Sequence, residues 1–135
     1  MKQILKKPFR AICALIASVA VLLGAFYVFH IRPWDSGVVA SFETPDGSRY
    51  MVIQTYNSWS EPYSVRLYSK ASGGDWRSSY LDHESGSWKD ASLQYDSDTM
   101  RVEVVESGKI HYVVDRKKAP VIGSPDVPPF SFPDA

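Results

Sequence analysis

The sequence contains a single cysteine, Cys13, and no cysteine in the 122 residues that follow it. That larger part forms no internal disulfide and must be stable through its hydrophobic core, which a domain of about 100 residues can achieve. A cysteine-free domain also suits an oxidising compartment, because no thiol can mispair there. The one asparagine, Asn57, is followed by Ser58-Trp59 and is not a glycosylation acceptor. We therefore expect a bacterial envelope protein.

Motifs for catalysis and for cofactors are also lacking. Asp82-His83-Glu84-Ser85 has the residue types of a hydrolytic site, but a triad is assembled from separate parts of a fold, and we interpret His83 as a solvated loop residue. We expect His111 to be a surface residue of a strand. Asp96-x-Asp98 begins like a calcium loop, but its fifth position is Met100, which has no ligand oxygen. The sequence predicts no catalytic residue, no metal site and no cofactor.

An excess of positive charge is missing from most of the chain. Four of the fifteen basic residues lie in the first ten positions, so the remainder carries eleven basic against fifteen acidic residues. A mildly acidic domain gives no electrostatic reason to bind nucleic acid. The basic run Arg116-Lys117-Lys118 is too short for a nucleic-acid surface, and we interpret it as the solvated end of the last strand.

What the chain does contain is a block of nineteen uncharged residues, Ala11 to Phe29. As a helix it would be about 28 Å long, close to the roughly 30 Å of bilayer hydrocarbon. Its one clearly polar residue, Ser18, can bond back to a helical carbonyl. The block predicts a single transmembrane helix over residues 11–31, in contact with membrane lipid.

The flanks of this block predict its orientation. Residues 1–10 carry four cations and no acid, so they should stay cytoplasmic, with the rest of the chain outside the plasma (inner) membrane. A cleaved signal peptide is the alternative, and its apolar region usually runs about 7–15 residues. The candidate cleavage sites Ser18–Ala20 and Leu23–Ala25 are both followed by further apolar residues. We therefore favour an uncleaved signal-anchor helix.

After a linker at 32–37, apolar residues recur with a period of two, which indicates strands. The spacing predicts an all-β domain over residues 38–115, an antiparallel meander of about seven strands folded as a barrel or a sandwich. In the last strand Ile110, Tyr112 and Val114 should point inward. The predicted strands are Val38–Glu43, Arg49–Tyr56, Tyr63–Ser69, Trp76–Leu81, Trp88–Tyr95, Met100–Glu106 and Lys109–Asp115.

The tail, residues 116–135, contains five prolines. Proline removes ladder donors, so this Pro-rich tail should be an extended, polyproline-like or disordered arm, or fold back over the edge of the sheet.

Aromatic residues are the candidate binding groups. Trp59, Trp76 and Trp88 lie at loop or strand boundaries, where they could stack on sugar rings or grip apolar peptide side chains, or cap the core. Phe130 and Phe132 lie among prolines and could dock into an aromatic groove of a partner.

The layout resembles that of many small anchored bacterial envelope proteins, a likeness that identifies no site residue. We expect a non-enzymatic, single-pass protein whose β domain binds another envelope protein, as an accessory subunit or an immunity-type inhibitor. The alternative is a carbohydrate or cell-wall binding module that uses rim tryptophans. A hydrolase built on His83 with Asp82 or Asp90 is a third hypothesis, which the missing motifs disfavour.

Overall fold

The computed structural model describes residues 2–30, 33–57, 62–83 and 86–134, and the chain divides into two compact units, Met1–Arg32 and Pro33–Ala135. In the first unit one helix, α1, runs over Lys2–His30. Its 24-residue stretch Lys6–Phe29 is long and apolar enough to cross a membrane or to be a signal sequence. The Ser18 hydroxyl donates to the carbonyl of Ala14 at 2.9 Å, the local bond expected for it.

The second unit is mostly β, with eight antiparallel strands in two sheets. One sheet has five strands in the order β1-β2-β3-β4-β8, and the other has three in the order β5-β6-β7. A short 3-10 turn at Pro33–Asp35 precedes the strands β1 (Gly37–Glu43), β2 (Arg49–Tyr56), β3 (Tyr63–Lys70), β4 (Arg77–His83), β5 (Ser92–Asp96), β6 (Arg101–Glu106), β7 (Lys109–Asp115) and β8 (Ser124–Pro125).

All seven predicted strands are present, and β2 and β7 have the predicted bounds. β4 extends to His83, which therefore ends a strand instead of lying in a loop. β5 begins four residues later than predicted because Trp88 to Ala91 forms a turn, in which the Ala91 N–H donates to the Trp88 carbonyl at 2.9 Å. The eighth strand, β8, was not predicted and comes from the Pro-rich tail.

The two sheets face each other across one hydrophobic cluster, so the fold is a sandwich of two sheets and not a single closed barrel. Both sheets contribute to this inner cluster, as does the connection between β4 and β5. Its buried members are Tyr50, Val52, Val65, Leu67, Trp88, Ala91, Val102, Val104 and Val114.

The five-stranded sheet is also apolar on the face turned away from the inner cluster. Met51, Ile53 and Tyr68 are buried there, with Trp76 and Phe132 packed against them. We call these five residues the outer cluster. Because successive residues of a strand point to opposite faces, β2 supplies both clusters, which explains its nearly continuous apolar run.

Arg116 corrects one expectation, because it is buried and only 8% exposed instead of solvated. Its guanidinium pairs with the Asp46 carboxylate and donates from Nε to the Tyr50 hydroxyl at 3.0 Å. That hydroxyl in turn donates to the Pro120 carbonyl at 2.6 Å. This network ties the β1–β2 turn to the beginning of the tail.

Ile110 corrects another expectation, because it is 57% exposed instead of inward. Tyr112 pairs with Val104 and Ile110 pairs with Val105, which leaves His111 as an extra residue in β7. Such a bulge shifts the alternation by one residue, so Tyr112 and Val114 remain inward while Ile110 turns out.

Candidate functional site

The candidate site lies at one end of the outer face of the five-stranded sheet. Glu43 is paired with Arg49 in the β1–β2 ladder, and Arg49 with Lys70 in the β2–β3 ladder. Trp76 lies just before β4, beside the end of β3. The ladders therefore bring an acid, two cations and an indole ring into one row across the sheet.

Two like charges directly opposite each other normally destabilise a strand pair. Here both cations lie over aromatic rings. The Arg49 guanidinium carbon is 4.9 Å from the centre of the Phe132 ring, and the Lys70 ammonium is 5.9 Å from the Trp76 ring. Arg49 also lies 3.6 Å from the Glu43 carboxylate. The aromatic faces thus help to hold the two cations side by side.

Phe132 reaches this row from the last part of the chain, Asp126–Asp134, which we call the C-terminal arm. Asp126 anchors the arm, since its N–H donates to the Trp76 carbonyl at 3.1 Å and its carboxylate accepts from the Ser78 hydroxyl at 2.7 Å. Arg66 lies 3.8 Å from the same carboxylate. The Ser78 bond is the main reason that the pKa of Asp126 lies below its usual range, against the opposing effect of burial.

The residues just before the arm, 123–125, are also held in place by contacts with β4. The Arg77 guanidinium donates two hydrogen bonds to the Gly123 carbonyl, at 3.0 and 2.7 Å. Arg77 and Ser78 pair with Pro125 and Ser124 of β8. Proline at this position costs no ladder bond, because β8 is the edge of the sheet.

At its far end the arm is held by Phe132, whose ring lies 6.3 Å from that of Trp76 with an angle of 30° between them. Between the anchor and Phe132, Val127 is 84% exposed and Phe130 is 36% exposed. A hollow of about 390 Å³ is lined by the arm together with Arg49 and Trp76. A second hollow of about 410 Å³ also has Trp76 in its wall and runs along Lys70, Asp75 and Asp126. We call the two together the Trp76 groove.

The structure brings together three of the five aromatic residues singled out in the sequence. Trp76, Phe130 and Phe132 all line the Trp76 groove. Trp88 lies in the inner cluster and is 2% exposed, and its backbone N–H donates to the side-chain carbonyl of Gln54. Trp59 lies outside the described residues.

Sequence reasoning missed Arg49, Lys70 and Asp126. A signal for the first two existed, because antiparallel pairing of the predicted second and third strands places Arg49 near the end of the third. No local signal exists for Asp126, whose partner Ser78 lies 48 residues earlier.

The rings and cations that line the groove can contact a ligand, whereas Asp126 is already engaged by Ser78 and Arg66. Within the described ranges, no three His, Cys, Asp or Glu side chains come together in a way that could hold a metal ion. His111 lies elsewhere, 3.1 Å from Glu106 and with its ring centre 4.7 Å from that of Trp88.

Comparison with protein-family models, with curated proteins and with solved structures finds no match to this chain. The groove and helix α1 are therefore the features of this chain that bear on its function.

Proposed function

We propose that this protein is a single-pass membrane protein of the bacterial envelope whose β unit binds another envelope protein through the Trp76 groove. The apolar length of α1 supports retention in the membrane, and the cations before it support a cytoplasmic N-terminus. The β unit would then be extracytoplasmic. It acts by binding, as an accessory subunit or an inhibitor, and not as an enzyme.

The observation that carries this proposal is the solvent-open groove around Trp76 and Arg49, in which an aromatic ring, that of Phe132, already packs. Tryptophan and arginine are among the residues that contribute most to protein–protein affinity. Exposed apolar side chains at the rim, such as Val127, extend the contact surface.

A photo-crosslinking amino acid placed at Val127 in intact cells tests the proposal. We expect a discrete adduct with one envelope protein, and we expect the additional substitution Trp76→Ala to remove it. The same crosslinker at Asp98, an exposed turn residue of the three-stranded sheet, is the matched control. Equal adducts at both positions, or none at Val127, would contradict the proposal.

Carbohydrate binding is the second candidate function, and the hollow along Lys70, Asp75 and Asp126 favours it. An indole ring next to charged hydrogen-bonding groups can stack on a sugar ring and contact its hydroxyls. Titration of the full chain in detergent with cell-wall fragments should then change the tryptophan fluorescence, and Trp76→Ala should suppress that change. An unchanged spectrum at saturating fragment concentration would exclude this alternative.

A further inference from the structure

Phe132 of the C-terminal arm packs on the outer face beside Trp76, as an aromatic side chain of a peptide ligand would. Its sequence from Val127 is Val-Pro-Pro-Phe-Ser-Phe-Pro-Asp. Prolines hold such a segment extended, so that little conformational entropy is lost when it docks. Phe132 supplies the inserted ring, packed on Trp76 and lying under the guanidinium of Arg49. The groove therefore already displays the chemistry it accepts, a proline-flanked aromatic side chain.

The two ends of the arm are held by different kinds of contact. Asp126 is fixed by hydrogen bonds and by the nearby charge of Arg66. Phe132 is held by ring packing and by a cation–π contact. Between them, Val127 is largely exposed and Phe130 is partly exposed. None of the polar contacts of Asp126 involves the Phe132 side chain.

We infer that the C-terminal arm is a tethered competitor for the Trp76 groove, and that the partner presents a proline-flanked aromatic segment that replaces Phe132 there. This inference rests on the proposed function and names the chemistry of the partner. A tethered segment has an effective concentration on the order of millimolar, so it blocks weak, nonspecific ligands and yields to a better-fitting one. The apparent affinity of an external ligand is its intrinsic affinity multiplied by the fraction of chains whose groove is open.

The test uses the full chain in detergent micelles and a fluorescent peptide with the sequence of residues 127–134. We expect Phe132→Ala to bind this peptide at least about tenfold more tightly than the wild type, because the open fraction rises from about a tenth or less towards one. Ile110→Ala changes an exposed apolar residue of the three-stranded sheet, outside the groove, and should bind like the wild type. A peptide with alanine in place of its second phenylalanine should not bind any variant.

Asp126→Asn provides a second variant that keeps the outer cluster complete. It weakens the anchor and should give a peptide affinity between those of the wild type and Phe132→Ala. Circular dichroism of both variants establishes that the fold is kept.

Peptide binding by folded Phe132→Ala and Asp126→Asn chains that is no tighter than for the wild type would overturn the inference. So would equal binding of the peptide that lacks the second phenylalanine. Wild-type dimers that form with increasing concentration and disappear in Phe132→Ala would assign the groove to the arm of a second copy, and would also overturn it. A persistent Val127 adduct in cells alongside failed peptide binding would leave the proposed function standing and refute only the arm's role.

Discussion

Arg116 illustrates how a single residue can be misjudged from its neighbours in sequence. It stands in a run with Lys117 and Lys118, both of which are exposed, yet its own side chain points into the sandwich. The difference arises because its partners, Asp46, Ser48 and Tyr50, lie in a turn and a strand about 70 residues earlier. A buried guanidinium is tolerated because it is paired and hydrogen-bonded.

Asp46 gives this network a dependence on pH. Hydrogen bonds from the Thr44 hydroxyl, and then from Arg116 and the Ser48 N–H, hold the pKa of Asp46 well below its usual range. A carboxyl whose pKa is lower in the folded state stabilises that state at neutral pH. The contribution is lost as the pH falls below about 4, where the unfolded chain takes up the proton.

We therefore expect Asp46→Asn to reduce the free energy of unfolding at pH 7 by about 1 kcal/mol, a modest value because Asp46 is 59% exposed and solvent screens the pair. Thermal unfolding followed by circular dichroism between pH 7 and pH 2.5 measures this difference. The two chains should converge as the pH falls through the acidic range. A difference that stays constant down to pH 2.5 would show that the ionised carboxylate is not the cause.

At the scale of elements, β7 shows why strand positions are easier to predict than strand faces. Its bounds follow from the apolar spacing and from the turn at Ser107-Gly108, where both residues have positive φ, 51° and 73°. The inward position of Ile110 was nevertheless wrong, since the extra residue His111 shifts the register. A bulge is fixed by cross-strand pairing, which the alternation within one strand does not reveal.

β8 shows that the sequence pattern of the tail likewise does not reveal its pairing with another strand. The prolines correctly argue against a strand interior, but a two-residue edge strand needs only a place where the chain can approach β4 closely. Gly123 provides it, with φ of +85°; a Cβ there would lie 1.8 Å from the Ser78 carbonyl oxygen. Only glycine fits this approach.

Gly123→Ala should therefore detach β8 and loosen the arm. Gly73→Ala is the matched control, because Gly73 also has a positive φ, +73°, but open space around it. We expect the control to cost about 1 kcal/mol from backbone strain and Gly123→Ala to cost clearly more, as measured by urea unfolding. Equal losses would show that the close approach to Ser78 contributes nothing to stability.

At the scale of the whole molecule, the proposed membrane attachment depends on a sum of small terms. Each Leu, Ile, Val or Phe in the middle of α1 favours insertion by about 0.3–0.6 kcal/mol, and there are ten in residues 11–29. One arginine near the centre costs about 2.5–3.5 kcal/mol, so two together offset the whole apolar contribution.

The double substitution Val19→Arg with Leu22→Arg should accordingly release the protein from the membrane fraction after alkaline extraction, while Val19→Ala with Leu22→Ala should remain bound. Wild-type protein that is found free of lipid and starts downstream of Ala20 or Ala25 would instead show that α1 is a cleaved signal sequence.

The features of the candidate site also differ in how far the sequence predicts them. Trp76, Phe130 and Phe132 stand out in the sequence because aromatic residues among prolines or at strand ends are unusual. These three residues meet only because the arm crosses the outer face of the sheet. The hydrogen bond between Asp126 and Ser78, which are 48 residues apart, holds the arm there. Trp88 has the same kind of sequence context as Trp76, yet it lies in the inner cluster, where its backbone N–H donates to the Gln54 side-chain carbonyl.

The apolar helix, the seven main strands and their turns could be derived from the chain alone, because each depends on residues within a few positions of one another. Three features could not be derived in this way: the eighth strand, the burial of Arg116 and the groove that the arm lines. They depend on contacts between segments far apart in sequence, whose free energy exists only once the two sheets and the arm have come together.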